Sequence, residues 1–245
     1  MSSSRAAVIG SSTAIALGWC AVVGWIAGDD PMLLVELGVG GLVALWGSLV
    51  LREVWKARSL GRRLSAHSAD AMIAGVHCRI VRQEAHEAFV MGAWAPTIYI
   101  GAGYLAILDP AERRGVLLHE EHHRRTRAPL RAAALDSWLQ LARPVRVLER
   151  ALTERIADLE VSADAFAMAA GTSPDVLASA LLKGQSGALA GTGYSHASEQ
   201  RISALIGAAH GRPPAQGRLP LEWLPLAIVT AALAACHIGL VLGLA

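Results

Sequence analysis

The chain has 245 residues, 53% of them hydrophobic, a net charge of +2 and a mean hydropathy of +0.41. A balance this close to neutral excludes a nucleic-acid binder, in which a basic patch dominates the composition. Its three cysteines include two, Cys20 and Cys236, inside apolar runs and one, Cys78, in the polar middle, so there is no disulfide framework.

Ala6–Gly28 carries no charge over 23 residues. That is enough to cross a hydrocarbon core of about 30 Å at about 1.5 Å per helical residue. A cleaved signal peptide has a shorter apolar stretch and is not followed at once by a second run. Here Asp29-Asp30-Pro31 leads directly into Met32–Leu51, interrupted only by Glu36. Residues 1–51 therefore read as a transmembrane hairpin with spans at about 6–28 and 32–51. Trp223–Ala245 has no formal charge, and residues 221–245 read as a third span. Buried core helices are the competing reading of these runs. Arg5, then Arg52, Lys56, Arg58, Arg62 and Arg63, then Arg212 and Arg218 all fall on one side if the N-terminus is inside, and the hairpin turn carries only acids. Residues 52–220 are then cytoplasmic. Glu36, one turn from the interface, reads as snorkelling, and no role is assigned to His237.

In the middle domain, Glu53–Ala74 reads as a charged helix leaving the membrane. Cys78–Ile100, rich in Val, Ile, Phe and Tyr and punctuated by Gly92 and Pro96, reads as two or three short antiparallel strands. Asp109-Pro110 starts a helix, with Asp as N-cap and Pro at the first helical position. Leu130–Ala142 continues helical, Pro144 breaks it, and Val145–Ala170 resumes. Gly171 and Pro174 end that segment. Gly184–Ser195 reads as a mobile Gly- and Ser-rich loop, and Arg201–His210 as a short last helix.

The chemistry-bearing signal is His119-Glu120-Glu121-His122-His123, which contains HExxH. On a helix, His119 and His123 lie one turn apart on one face, and both imidazoles can reach one metal at about 2.0–2.1 Å. Glu120 then sits beside the ion as a candidate base. His119 and His122, three apart, form an alternative pair; the bland reading is a charge-mixed surface helix. A zinc hydrolase needs a third protein ligand, and Glu160 in Glu160-Val161-Ser162-Ala163-Asp164 is the best candidate. Asp164, one turn on, can accept a hydrogen bond from a ligand imidazole.

Leu117–Arg125 followed by Glu160–Ala167 resembles the HExxH…ExxxD gluzincin peptidases, both the BlaR/MecR-type membrane proteases and the HtpX and CAAX-prenyl endopeptidase group. Glu87–Gly92 resembles the strand that those families place beside the active site, and Pro96–Ile100 with Leu105 the segment leading into the zinc helix. Ser195–Ile202 resembles a His…Arg-Ile motif of the HtpX group. The chain departs from the pattern at Glu87, where Asn is common, at Ala197, where Pro is usual, and at Glu121, where an apolar residue is usual. No penicillin-binding sensor domain follows the third run, so direct antibiotic sensing is not expected.

The resemblance implies a mainly α, multi-pass protein of the bacterial inner membrane, with a zincin-like helical catalytic domain and a small antiparallel sheet. It implies one Zn2+ per chain on His119, His123 and Glu160, with Glu120 as base and Asp164 behind a ligand. His196 and Arg201 are candidate transition-state stabilisers, and Phe89, Val90, Met91 and Gly92 a candidate substrate-binding strand. The implied partners are a protein or peptide substrate and the lipid bilayer, with oligomerisation left open. The implied activity is a metalloendopeptidase, cutting a regulatory protein such as a repressor or acting in HtpX-like quality control. The alternative of a different class is an inactive membrane scaffold or signalling partner.

Overall fold

A computed structural model describes residues 31–82, 87–185 and 194–211. Two of the expected spans, 6–28 and 221–245, lie outside these residues. Helix α1 (Pro31–Ala66) is one continuous helix of 36 residues. Its Leu37–Ala66 portion is the one helix among the described residues that is long and apolar enough to cross a membrane. At about 1.5 Å per residue, α1 is about 54 Å long, well beyond a hydrocarbon core of about 30 Å. The expected span 32–51 and the charged helix expected after it are therefore one rod, with no break at the first charge.

The chain divides into two units with the boundary inside α1, and the larger runs Val50–Glu222. After α1 come β1 (Ser68–Ile73), β2 (Val76–Val81), β3 (Ala88–Met91), β4 (Thr97–Gly101), α2 (Ala102–Ile107), α3 (Pro110–Arg125), α4 (Ala128–Ala142), α5 (Arg146–Ala169), α6 (Pro174–Gln185) and α7 (Tyr194–Ala209). The unit is mostly helical with one small sheet.

Four sequence expectations are corrected here. The helix expected to reach Ala74 stops at Ala66, and residues 68–73 form β1, hairpinned to β2 through Ala74 and Gly75, both with positive φ. Hairpin pairing with the next strand, across a two-residue turn, overrides the local helix propensity of this segment. The sheet is mixed rather than antiparallel: its order is β1-β2-β4-β3, and β2 pairs with β4 in parallel. β4 is central because Ile98, Tyr99 and Ile100 are all buried, a continuous apolar run that needs cover on both faces. β3, half-buried throughout, takes the edge. Finally, α6 forms where no helix was assigned, and α7 begins at Tyr194, inside the stretch read as a loop.

α3 carries the motif, and its start is secured as expected. Asp109 Oδ1 accepts from the Glu112 N–H at 2.8 Å, and Glu112 Oε2 accepts from the Asp109 N–H at 2.7 Å, a reciprocal capping box. Glu112 is buried and also accepts from Lys183 Nζ and Ser179 Oγ of α6, both at 2.6 Å. Burial works to raise its pKa, but these hydrogen bonds hold it below the usual carboxylate range. At Gly115, an added Cβ would stand 2.8 Å from Thr172 Cγ2 and 3.1 Å from Leu177, so the missing side chain lets α3 approach α6 closely. Leu117 faces the sheet in one core with Cys78, Ile98, Ile100, Tyr104 and Ala180, and the Tyr104 hydroxyl donates to the Ala180 carbonyl at 2.7 Å.

Gly92 closes the β3–β4 connection with φ +110, and a Cβ there would lie 2.7 Å from the Ala95 carbonyl oxygen. Gly92→Ala is expected to destabilise the protein by about 1–3 kcal/mol through backbone strain. Thermal unfolding of the purified chain checks this; an unchanged midpoint contradicts the strain argument.

Candidate metal centre

α3 and α5 lie side by side, and each carries polar residues four positions apart. Four-spaced residues share a helix face, so His119 and His123 on α3 meet Glu160 and Asp164 on α5. Ala157, Ala163 and Ala167, all essentially fully buried, keep α5 thin enough for this approach.

The donor atoms form a compact triangle. His119 Nε2 and His123 Nε2 are 3.0 Å apart. Glu160 Oε2 is 3.4 Å from His119 Nε2, and Glu160 Oε1 is 3.4 Å from His123 Nε2. Two ligands each about 2.0–2.1 Å from one tetrahedral zinc lie about 3.3 Å apart. The donor atoms therefore lie within the spacing of ligands on one tetrahedral ion, and among the described residues these three make up the group that could hold a metal ion. The donor set, two imidazoles and one carboxylate, also suits zinc.

The surroundings favour a cation. Burial depresses the His119 pKa, as does Arg201, yet hydrogen bonds to Asp164 and Glu160 and the Asp164 charge raise it to about 9. For Glu160, burial is again the largest influence and acts upward, but its contacts with both imidazoles hold it well below the usual carboxylate range. Its side chain is 32% exposed, so the triangle opens to solvent on that side. Glu120 is buried, and that burial raises its pKa, with Glu160 adding to the shift and His119, His123 and Arg201 opposing it.

Behind the triangle, Asp164 Oδ1 lies 2.8 Å from His119 Nδ1. An Nδ1–H donated to that carboxylate leaves the Nε2 lone pair facing the other two donors. Arg201 of α7 grips Asp164 with two hydrogen bonds, Nε to Oδ2 and Nη2 to Oδ1, both 2.8 Å, and its Nη1 is 3.5 Å from Glu160 Oε2. Arg201 thus reaches the site, through Asp164. The side chain of His196 lies outside the described residues. His122 turns away: its Nε2 is 3.3 Å from Ser162 Oγ, and its ring packs on Phe166 at 5.2 Å. Burial, reinforced by the charges of the other two histidines, lowers its pKa to about 4. Of the two histidine pairs open from spacing, the fold brings His119 and His123 to Glu160.

Phe89, Val90, Met91 and Gly92 lie on and just beyond the sheet's edge strand, against which α3 packs, with Phe89 stacked on Tyr99 at 5.6 Å. Glu121, the departure noted above, is buried and accepts from Arg124 at 2.6 and 2.7 Å and from Arg125 at 2.7 Å. The i,i+3 and i,i+4 spacing of these residues was the signal for that cluster. The Glu112–Lys183 pair had no comparable signal, since 71 residues separate its partners.

The His119 pKa gives a pH dependence for metal-free protein. The folded value, about 9, lies above the ordinary 6.5, so the stabilisation is complete below about 6.5 and disappears as pH rises through about 9. Chelator-treated protein is expected to lose thermal stability across that window, and added zinc to stabilise increasingly over it, because binding displaces the proton. A flat profile in both series contradicts the assignment.

Compared with protein-family models, with curated proteins and with solved structures, the chain finds no match.

Proposed function

We propose that the chain is a membrane-anchored zinc metalloendopeptidase of the HExxH…ExxxD gluzincin kind, hydrolysing peptide bonds of a protein substrate at the cytoplasmic side. One observation carries the reading: two imidazoles and one carboxylate from different helices converge at zinc-ligand spacing with a buried carboxyl, Glu120, next to them. The finer topology belongs to the same proposal. It comprises spans at about 6–28, 32–51 and 221–245, a cytoplasmic domain over 52–220, and the N-terminus inside a bacterial inner membrane.

When bound, the zinc ion supplies a Lewis acid and lowers the pKa of its water towards about 7. Glu120, made more basic by burial, accepts a proton from the attacking water and returns one to the leaving amine. Asp164 fixes the orientation and tautomer of His119, and Arg201 fixes Asp164. That bidentate grip makes Arg201 a positioning residue for the ligand shell. β3 pairs with β4 on one side and has no strand on the other among the described residues. An extended substrate can add to that edge through backbone hydrogen bonds along Phe89–Gly92. Such an edge suits an extended segment of chain, which supports a peptide substrate.

Glu120→Gln is expected to reduce casein cleavage by at least about 10²-fold while zinc stoichiometry stays near one per chain. Glu160→Ala is expected to lose zinc and activity together, because it leaves two protein ligands where about three are needed. Chelator-insensitive cleavage, or full activity in Glu120→Gln, would overturn the proposal.

A further inference from the structure

The apolar run of α1 ends at Arg52, with Leu51 and Trp55 exposed on either side of it. An exposed aromatic beside the first arginine is the composition of a membrane–water boundary. Two contacts fix the direction of α4 relative to this boundary. Arg52 Nη2 donates to Gln140 Oε1 at 3.1 Å, which places the C-terminal end of α4 at the level of Arg52. Nine residues further along α1, Gly61 neighbours Met91 of β3, where a Cβ would lie 3.4 Å from Met91 Sδ. β3 is also packed against by α3 and α4, and α4 begins within three residues of the end of α3. α4 thus starts at the level of the candidate site and runs back towards the boundary. The lengths agree: nine residues of α1 rise about 13.5 Å, and Ala128 to Gln140 about 18 Å.

Immediately after α4 the chain turns the corner into α5 through Arg143-Pro144-Val145-Arg146-Val147-Leu148, all six exposed. Val147 is 80% exposed, Val145 55% and Leu148 47%. Exposed aliphatics of this density have no use in water. Arg143, Arg146 and Arg150 flank them, and Glu149 is the one acid between Arg143 and Arg150. Interleaved arginines and aliphatics are the makeup of an interfacial segment, in which apolar side chains enter the headgroup region and cations meet phosphates.

We propose that the α4–α5 corner, Arg143–Arg150, docks on the anionic phospholipid surface of the bilayer that α1 enters, with Val147 and Leu148 inserted and the three arginines on headgroup phosphates. The inference rests on the membrane reading of α1 and not on the zinc chemistry. It gives the catalytic unit a second point of attachment beside α1, holds the site at a set height above the membrane, and favours substrates presented near the surface. A neutral bilayer lacks the negative charge that complements three arginines around an aliphatic tip.

The test uses the full chain with Cys20→Ser, Cys78→Ala and Cys236→Ser, and one cysteine at a time carrying an environment-sensitive fluorophore: Val147→Cys, Leu42→Cys within α1, or Met72→Cys on exposed β1. Each is reconstituted in vesicles of phosphatidylcholine alone or mixed with phosphatidylglycerol. The label at 147 is expected to shift to the blue and resist iodide quenching only with anionic lipid. Arg143→Gln/Arg146→Gln/Arg150→Gln should abolish the shift, and the matching triple lysine variant should restore it. The label at 42 should be protected in both vesicles and that at 72 in neither. If 147 matches 72 on anionic vesicles while 42 is protected, the docking proposal falls and the membrane reading stands. If 42 is also aqueous, both fall. Protection of 147 that persists without anionic lipid and in the triple glutamine variant overturns the proposal in favour of a protein contact.

Discussion

Two imidazoles, three carboxyl groups and a guanidinium are gathered between α3, α5 and α7, most of them out of contact with water. Unpaired charges in such a place would be costly, and a chain of contacts links most members: Arg201 on Asp164, Asp164 on His119, and His119 and His123 on Glu160. The cluster closes on itself only if α3 and α5 pack with their four-spaced polar pairs face to face. That packing in turn requires the small buried alanines of α5. The same contact that stabilises the helical unit therefore builds the proposed metal centre, with Arg201 of α7 holding Asp164 behind it.

The rest of the unit holds α3 in that position. Its N-terminus is tied twice over, by the reciprocal Asp109–Glu112 cap and by Lys183 and Ser179 reaching the same carboxylate from α6. Gly115 gives α6 and the Thr172 turn room to approach. Leu117 ties the middle of the helix to the sheet. A helix fixed at its start, against a sheet and against two neighbours presents His119 and His123 from a rigid base. That is the condition under which ligand geometry is set before an ion arrives.

α1 has a double character. Its first part is apolar and exposed, and its last part lies against β3 and α4. The corner after α4 returns the chain to the level at which α1 changes from apolar to charged.

Local chemistry alone made part of this protein legible. The Asp109-Pro110 start of α3, the break at Pro144, the one-turn spacing of His119 and His123 and that of Glu160 and Asp164 depend on capping and helical periodicity, which neighbours in sequence determine. Contacts between distant residues decided the rest. β4 entered the sheet centre, parallel to β2, because its apolar run needed cover on both faces. His123 rather than His122 faces Glu160 because the packing of α3 on α5 sets His122 against Ser162 and Phe166, further along the same helix. Arg201 was a candidate from its motif alone, and only the packing of α7 against α5 shows that its guanidinium holds the Asp164 carboxylate.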